Sequence, residues 1–300
     1  MSNQTQRPSP SSFIGQARSQ LKKELSELLY SFISQYKPAA PAKSNVWIEE
    51  CKRDLQLMLR SSRARKAYLP PWPLELIQIQ EKDQSEHLQN LNDYLQQELL
   101  NNNPKCKLTV LDESLANERS IDMHASKMLL PALKASFQAS RDVAPELHQR
   151  HWLHLNFNLT IGRHLALHKL GHTFTVNLIS CMQLAGALCC LRYLATALQK
   201  RPDQSDAIEW LAYDSLENIA PELSQKIAKD WQLGEEVCQS LSTTGTSDSL
   251  LSKTLEDCDI ASSSCLLFNQ EVINEEAAAH YLRQWQLPIQ LLRQFAPRKS

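Results

Sequence analysis

Apolar residues recur at helical spacing along most of this chain. In residues 13–36 they fall every three or four positions, and the basic residues of the segment lie largely off that stripe. Two proline-containing segments, 38–43 and 69–73, interrupt the pattern, because proline lacks the amide hydrogen and restricts the residue before it. The pattern therefore predicts two helices before the second break, at about 13–36 and 45–60.

The rest of the chain reads as a series of helices separated by short breaks, with no fixed period of the kind that marks a repeat solenoid. The predicted helices cover residues 74–81, 86–101, 105–112, 122–138, 143–169, 174–200, 205–215, 221–231, 234–242, 247–263, 273–284 and 287–294. Trp-Gln-Leu occurs at 231–233 and again at 285–287, each time where one helix should end. These patterns predict an all-α, multi-helix fold.

Glycine usage points the same way. The chain has 6 glycines in 300 residues, where average usage of about 7% would give about 21. Hairpin turns and phosphate-binding loops need glycine, and neither G-x-G-x-x-G nor G-x-x-x-x-G-K-[ST] is present. The composition therefore argues against β-rich folds and nucleotide-binding loops.

The net charge of −1 conceals an uneven distribution. Residues 1–67 hold 12 Lys and Arg against 5 Asp and Glu, whereas residues 68–300 hold 20 against 28. We predict a basic N-terminal extension over 1–67 followed by an all-helical domain over 68–300. A basic extension favours an anionic partner, such as a nucleic acid or a membrane surface, or its own acidic domain. Its candidate contact residues are Arg60, Arg63, Arg65 and Lys66.

The segment Thr173–Leu191 contains no charged residue and is long enough to cross a bilayer. It carries Asn177, Ser180 and Gln183 and lies between further helical patterns, so a buried central helix is the favoured interpretation. The polar start of the chain predicts no secretory signal. The eight cysteines include no C-x-x-C pair, which favours reduced thiols. A cytoplasmic protein without a transmembrane span is expected.

Histidines form the most suggestive group of chemical residues. One set has spacing that places its members on one face of a helix: His164, His168 and His172. A second set lies just upstream: His148, His151 and His154. A zinc site built from His148, His151, His154 and His168 is one alternative. H-E-x-x-H is absent and no carboxylate lies within 164–172, so the favoured alternative is a polar helix face without a metal or other cofactor.

The sequence contains few signs of catalysis by a nucleophile or by a pair of carboxylates. There is no G-x-S-x-G and no cysteine-protease type signature. The acidic pairs at 49–50, 235–236 and 275–276 fall at helix starts or exposed faces, where a carboxylate complements the helix dipole. These features favour a protein that is not an enzyme.

Several short motifs, taken in order, resemble the HDOD domain, a helical relative of the HD phosphohydrolases found in bacterial signalling proteins. The family tends to show W-x-H followed by R-x-L-A, and this chain matches the pattern with Trp152, His154, Arg163, Leu165 and Ala166. The family then shows a glycine-containing apolar helix, which Cys181–Leu188 matches. Its later W-x-L-P motif is matched by Trp231 and Leu233, with Gly234 in place of the proline. Weaker echoes lie at 103–114 and in the last helices, 272–287. The resemblance covers residues from about 70 to 297 and implies an HD-like helical fold.

The departures from the HD pattern decide what the resemblance implies about function. HD enzymes hold their metal with histidines and a His-Asp dyad, and this chain contains no His-Asp dipeptide. In the alignment the dyad falls on Gln183 and Leu184, and a later histidine position falls on Ala220. Only His154 remains as a ligand, and one imidazole cannot fix a hydrolytic metal centre.

Three functions stay open at this point. The first is a non-enzymatic signalling or regulatory scaffold with an HDOD-like domain that binds protein partners. The second is a metal-dependent phosphohydrolase whose ligands are misaligned. The third is an adaptor that binds an anionic membrane or a nucleic acid through the basic extension.

Overall fold

The computed structural model describes residues 10–41, 46–69, 143–170, 173–241 and 249–297, with side chains of the first helix described from residue 17 onward. Within these ranges the secondary structure is α-helical except for one short 3-10 turn, and it includes no β-strand. The prediction of an all-α fold is confirmed for the part of the chain that the structure describes.

The described ranges hold eleven α-helices and the 3-10 turn Pro202–Gln204. In chain order they are α1 (Pro10–Ser34), α2 (Val46–Arg60), α3 (Ser62–Lys66), α4 (Pro145–Leu170), α5 (Phe174–Lys200), α6 (Ser205–Asn218), α7 (Ala220–Asp230), α8 (Glu235–Ser240), α9 (Leu250–Asn269), α10 (Glu275–Gln284) and α11 (Gln290–Gln294).

The predicted helices that can be compared match these bounds closely, and the four predicted between residues 74 and 138 lie outside the described residues. One difference is α9, which continues six residues past its predicted end at 263. The serines near that point are buried and hydrogen-bonded: Ser264 Oγ donates to the Ile260 carbonyl at 2.7 Å, and Ser262 Oγ donates to Asn158 Oδ1 on α4. Tertiary contacts therefore keep helical a segment of low intrinsic propensity.

The centre of the fold is the pair α4 and α5, which pack against each other. On one side α4 packs against α9, and on the other α5 packs against α7. α1 lies against α9 and α4, whereas α2 contacts α5, α6 and α7. The three N-terminal helices thus dock on the remainder of the described chain, and Leu25, Phe32 and Leu55 belong to the same buried cluster as α4 and α5.

An ion pair fastens α3 to the end of α7. The Arg65 guanidinium binds the Asp230 carboxylate through both oxygens, with Nε–Oδ2 at 2.7 Å and Nη2–Oδ1 at 2.9 Å. Its remaining nitrogen donates to the Met58 carbonyl at 2.6 Å and the Leu59 carbonyl at 3.2 Å. Arg65 is only 5% exposed. A two-pronged, hydrogen-bonded geometry is what a buried charge pair needs to offset its desolvation.

The buried position of Arg65 corrects one part of the sequence interpretation. Its charge is used inside the fold and is not available to an anionic partner. The other three basic candidates are exposed: Arg60, Arg63 and Lys66. Their role in binding an anion stays a prediction, as does the division of the chain into 1–67 and 68–300.

α5 is the helix that the sequence offers as a membrane span or a core helix. It is the one helix in the described residues that is long and apolar enough to span a bilayer, and 83% of its most apolar stretch is buried inside the protein. A central helix that α4, α6 and α7 surround can be as long and as apolar as a membrane span. The structure therefore gives no clear transmembrane span among the residues that it describes.

Both Trp-Gln-Leu segments end a helix in the same way. Gln232 and Gln286 adopt left-handed backbone conformations, with φ of 54° and 56°. After α7, the amide of Leu233 donates to the Ala228 carbonyl at 3.0 Å, and after α10 the corresponding bond from Leu287 is 2.9 Å long. This pattern is the Schellman motif, in which the residue after the cap turns left-handed. The leading tryptophan is buried in each case, and Trp231 is 7% exposed.

α5 and α7 approach each other most closely at Gly186. A Cβ atom at this position would lie 2.0 Å from the Ala220 carbonyl oxygen and 2.7 Å from the Ser224 amide nitrogen. Ser224 Oγ accepts a hydrogen bond from the Gly186 amide at 2.9 Å and donates to the Gln183 carbonyl at 3.1 Å. Only glycine permits this contact, because the atoms that a side chain would strike belong to the backbone.

We predict that Gly186→Ala lowers the free energy of unfolding by about 3 kcal/mol, the upper part of the range for overpacking a core. The matched control is Gly234→Ala, where an added Cβ meets nothing within 4 Å. Urea denaturation followed by circular dichroism measures both variants. Equal stability of the two variants would contradict the close contact.

Candidate functional site

A cleft of about 460 Å³ opens between α4, α5, α6, α7 and α8. Its volume falls within the range of about 300–1,000 Å³ that is typical of small-molecule sites. The floor and walls come from helices already fixed by the central packing, and Leu241, directly after α8, completes the lining. The cleft is therefore part of the rigid core and not a surface loop.

The structure brings into this one cleft the four positions that the HDOD resemblance aligns with the metal ligands of HD enzymes. α4 contributes His154, α5 contributes Gln183 and Leu184, and α7 contributes Ala220. These residues span 67 positions of sequence, and the packing of α5 against α4 and α7 is what unites them. The packing thus gathers the four aligned positions around one space, while the HDOD alignment itself stays a prediction.

The side chains at these positions do not fit a divalent metal ion. Gln183 offers a neutral amide oxygen, and Leu184 and Ala220 offer no donor at all. Asn158 and Ser180 add further neutral groups, and no Asp, Glu, Lys or Arg is among the described residues that line the cleft. The described residues contain no group of three or more His, Cys, Asp or Glu placed to hold a metal. A site for hydrolytic metal chemistry needs at least three such ligands.

The two histidines of the cleft are held neutral. Burial, together with the neighbouring His154 and His148, lowers the pKa of His151 from 6.5 to about 3. Burial also lowers the pKa of His154, and the nearby Asp259 carboxylate opposes that shift. The cleft therefore presents imidazoles, and not imidazolium cations, at neutral pH.

The proposed four-histidine set does not assemble into one site. His148 is buried, and its Nε2 accepts a hydrogen bond from Trp152 Nε1 at 2.6 Å, so this nitrogen is already used within α4. His168 lies fourteen residues beyond His154 on the same helix, a separation of about 21 Å along its axis. No ion can span that distance.

The downstream histidine set also lies apart from the cleft, in the two members that the structure describes. His164 and His168 are exposed on α4, and their rings meet edge to face with centroids 4.9 Å apart. The third member, His172, lies outside the described residues. For the two that the structure describes, the interpretation as a polar helix face fits their exposure.

Several residues that the structure places in the cleft carry no sequence signal of a site. Leu216 comes from the end of α6, Ser224 comes from α7, and Leu241 follows α8. Each is an ordinary residue in an ordinary helical pattern, so nothing local marks it. The packing of α6, α7 and α8 against α5 makes these side chains part of a shared surface.

The neutral cleft histidines make stability depend on pH. Below pH 6.5 the unfolded chain binds a proton at His151, whereas the folded chain binds it only near pH 3, because its pKa is lowered to about 3. We therefore expect the free energy of unfolding to fall as the pH is lowered through this window, by up to about 1.4 kcal/mol per pH unit for one such proton. Urea denaturation at a series of pH values measures the slope.

The variant His151→Gln should flatten this acid-side slope, because glutamine does not titrate. His164→Gln changes an exposed histidine of the same helix and serves as the control. A slope that is unchanged in His151→Gln would show that folding does not lower the pKa of this imidazole.

No family model, no curated protein and no solved structure matches this chain. The HDOD resemblance stays a prediction from the sequence motifs, and the candidate site rests on its geometry and chemistry.

Proposed function

We propose that this protein is a non-enzymatic regulatory protein of the HDOD type, a bacterial signalling scaffold that presents a helical surface to a protein partner. One observation carries the proposal: the positions aligned with HD metal ligands meet in a single cleft, and three of the four lack the histidine or aspartate that the HD pattern requires there. These are Gln183, Leu184 and Ala220. A fold that keeps the cleft without its ligands supports a role in binding.

The partner surface that we propose lies on the N-terminal helices. Among the described residues, four of the eight large apolar side chains that remain exposed fall in or just after α1 and α2: Tyr30, Tyr36, Val46 and Leu57. Val46 and Leu57 are 76% and 51% exposed. They lie eleven residues apart and so share one face of α2. The exposed Glu50 and Arg53 lie between them on that face, so the surface combines two apolar side chains with charged ones, a mixture that is common at protein–protein interfaces.

The proposal that the cleft holds no catalytic metal can be tested by restoring the missing ligands at the aligned positions. We expect the wild-type protein, purified without chelator or metal-affinity resin, to hold no stoichiometric metal. The variant Gln183→His, Leu184→Asp, Ala220→His adds three donors to His154, and we expect it to bind about one equivalent of zinc or manganese, because four convergent ligands complete a site. Elemental analysis and isothermal titration with the metal alone measure both proteins.

The restored variant with His154→Ala is the matched control and should lose the metal. Circular dichroism shows whether the triple variant folds; if it does not, the pair Gln183→His and Ala220→His, which leaves Leu184 in the core, replaces it. About one equivalent of metal on the wild-type protein, lost on His154→Ala together with phosphodiesterase activity, would overturn the proposal and favour the phosphohydrolase alternative.

The partner half is tested by site-specific crosslinking in the native cells. A photoreactive amino acid at Leu57 should give a discrete adduct with one other protein, whereas the same group at the exposed Glu222 of α7 should not. Mass spectrometry identifies the adduct. If Leu57 yields no adduct, or the same adducts as Glu222, then the face on α2 is not the partner surface.

A further inference from the structure

The cleft between α4, α5, α6, α7 and α8 has a distinctive chemistry beyond its lack of metal ligands. No formally charged side chain is among the described residues that line it, although 22% of the residues in the chain are charged. Its polar groups are amides, hydroxyls and imidazoles, and its apolar groups are aliphatic. Such a lining solvates dipoles well and full charges poorly.

We propose that this cleft binds an uncharged, amphiphilic small molecule, about the size of a two-ring aromatic compound, through hydrogen bonds to its amides and hydroxyls and apolar contact with its leucines. The inference rests on the proposed function to the extent that the cleft must be free of a catalytic metal.

The hydrogen-bonding capacity lies on both central helices. Gln183 of α5 carries a donor and an acceptor, whereas Asn158 of α4 already accepts from Ser262 and offers its amide nitrogen. The Ser180 hydroxyl donates within its own helix and so offers a ligand an acceptor oxygen. The buried Nε2 of His154 has no hydrogen-bond partner among the described residues. Buried polar atoms are normally paired, so a ligand group that reaches this nitrogen would remove an energetic cost.

The apolar capacity comes mainly from the facing helices. Leu184 of α5, Leu216 of α6 and Leu241 after α8 line the cleft together with Ala187 and Ala220. A pocket that is mostly aliphatic, with a few polar groups at defined places, is the usual construction of a small-molecule site. At about 460 Å³ the cleft accommodates two fused or linked rings without displacing the helices.

Anions and cations are both disfavoured. A bound phosphate or carboxylate needs a cationic partner or a cluster of amide donors, and the described lining supplies no lysine or arginine. The two cleft imidazoles are neutral, since burial lowers the pKa of both. An ammonium ligand would find no carboxylate in the lining either. The ligand class is therefore set by charge as much as by shape.

Two fluorescent probes of nearly the same skeleton test the inference on the full chain. 2-Naphthol is uncharged at neutral pH, and 2-naphthol-6-sulfonate is its sulfonated counterpart. We expect saturable binding of the neutral probe with one site per chain, and at least tenfold weaker binding of the sulfonate. Fluorescence titration and isothermal calorimetry measure both.

The variant Gln183→Arg locates the site. Gln183 is exposed within the cleft, so the substitution adds a cation there without disturbing the core. We expect it to reverse the preference, with at least tenfold weaker binding of the neutral probe and a gain for the sulfonate. The matched control is Gln199→Arg, an exposed residue sixteen positions further along α5, which is about 24 Å away along the helix. It should leave both affinities unchanged.

The outcomes separate this inference from the proposed function. Equal affinity for the two probes, or no effect of Gln183→Arg, would show adsorption to apolar surface and overturn the inference. Absence of neutral-probe binding to a metal-free protein would overturn it as well, while leaving the scaffold proposal standing. Stoichiometric metal bound at His154 would overturn both.

Discussion

The contact between the backbones of α5 and α7 at Gly186 is the constraint on which the candidate site depends. It draws the first turn of α7 against the middle of α5, so that Ala220 and Ser224 face the same space as Gln183 and Leu184. The hydroxyl of Ser224 on α7 then bridges the two helices, because it accepts a hydrogen bond from the Gly186 amide and donates one to the Gln183 carbonyl, both on α5. A side chain at position 186 would separate the helices and open the cleft on that side.

Once the two helices are held at this distance, the chemistry of the cleft follows from what each helix presents there. The side chains are neutral, and burial keeps His151 and His154 neutral as well. Introducing a charge into such a place costs free energy unless a counter-charge comes with it. The cleft thus accommodates neutral groups at a lower free-energy cost than charged ones.

The N-terminal helices are joined to this core by both apolar and ionic contacts. Leu25 and Leu55 are fully buried against it, and the Arg65–Asp230 pair ties α3 to the end of α7, ten residues from the site position Ala220 in the chain. Lys22 on α1 also forms an ion pair with Glu256 on α9, with Nζ–Oε1 at 2.7 Å. Movement of α1–α3 on binding a partner would therefore act on helices that belong to the cleft or support it.

The sequence by itself determined the helical fold in the described residues, because apolar periodicity, proline breaks and scarce glycine are local properties that need no partner helix. It also determined where α7 and α10 end, since Trp-Gln-Leu carries the signal within three residues. Motif order supplied the HDOD resemblance, which stays a prediction, and nothing in the sequence measured the distances between the aligned positions.

Tertiary structure alone decided the rest. The burial of Arg65 depends on a carboxylate 165 residues away, which no local charge pattern reveals. The cleft itself is built by five helices, and the neutrality of its histidines comes from burial that exists only once those helices have packed.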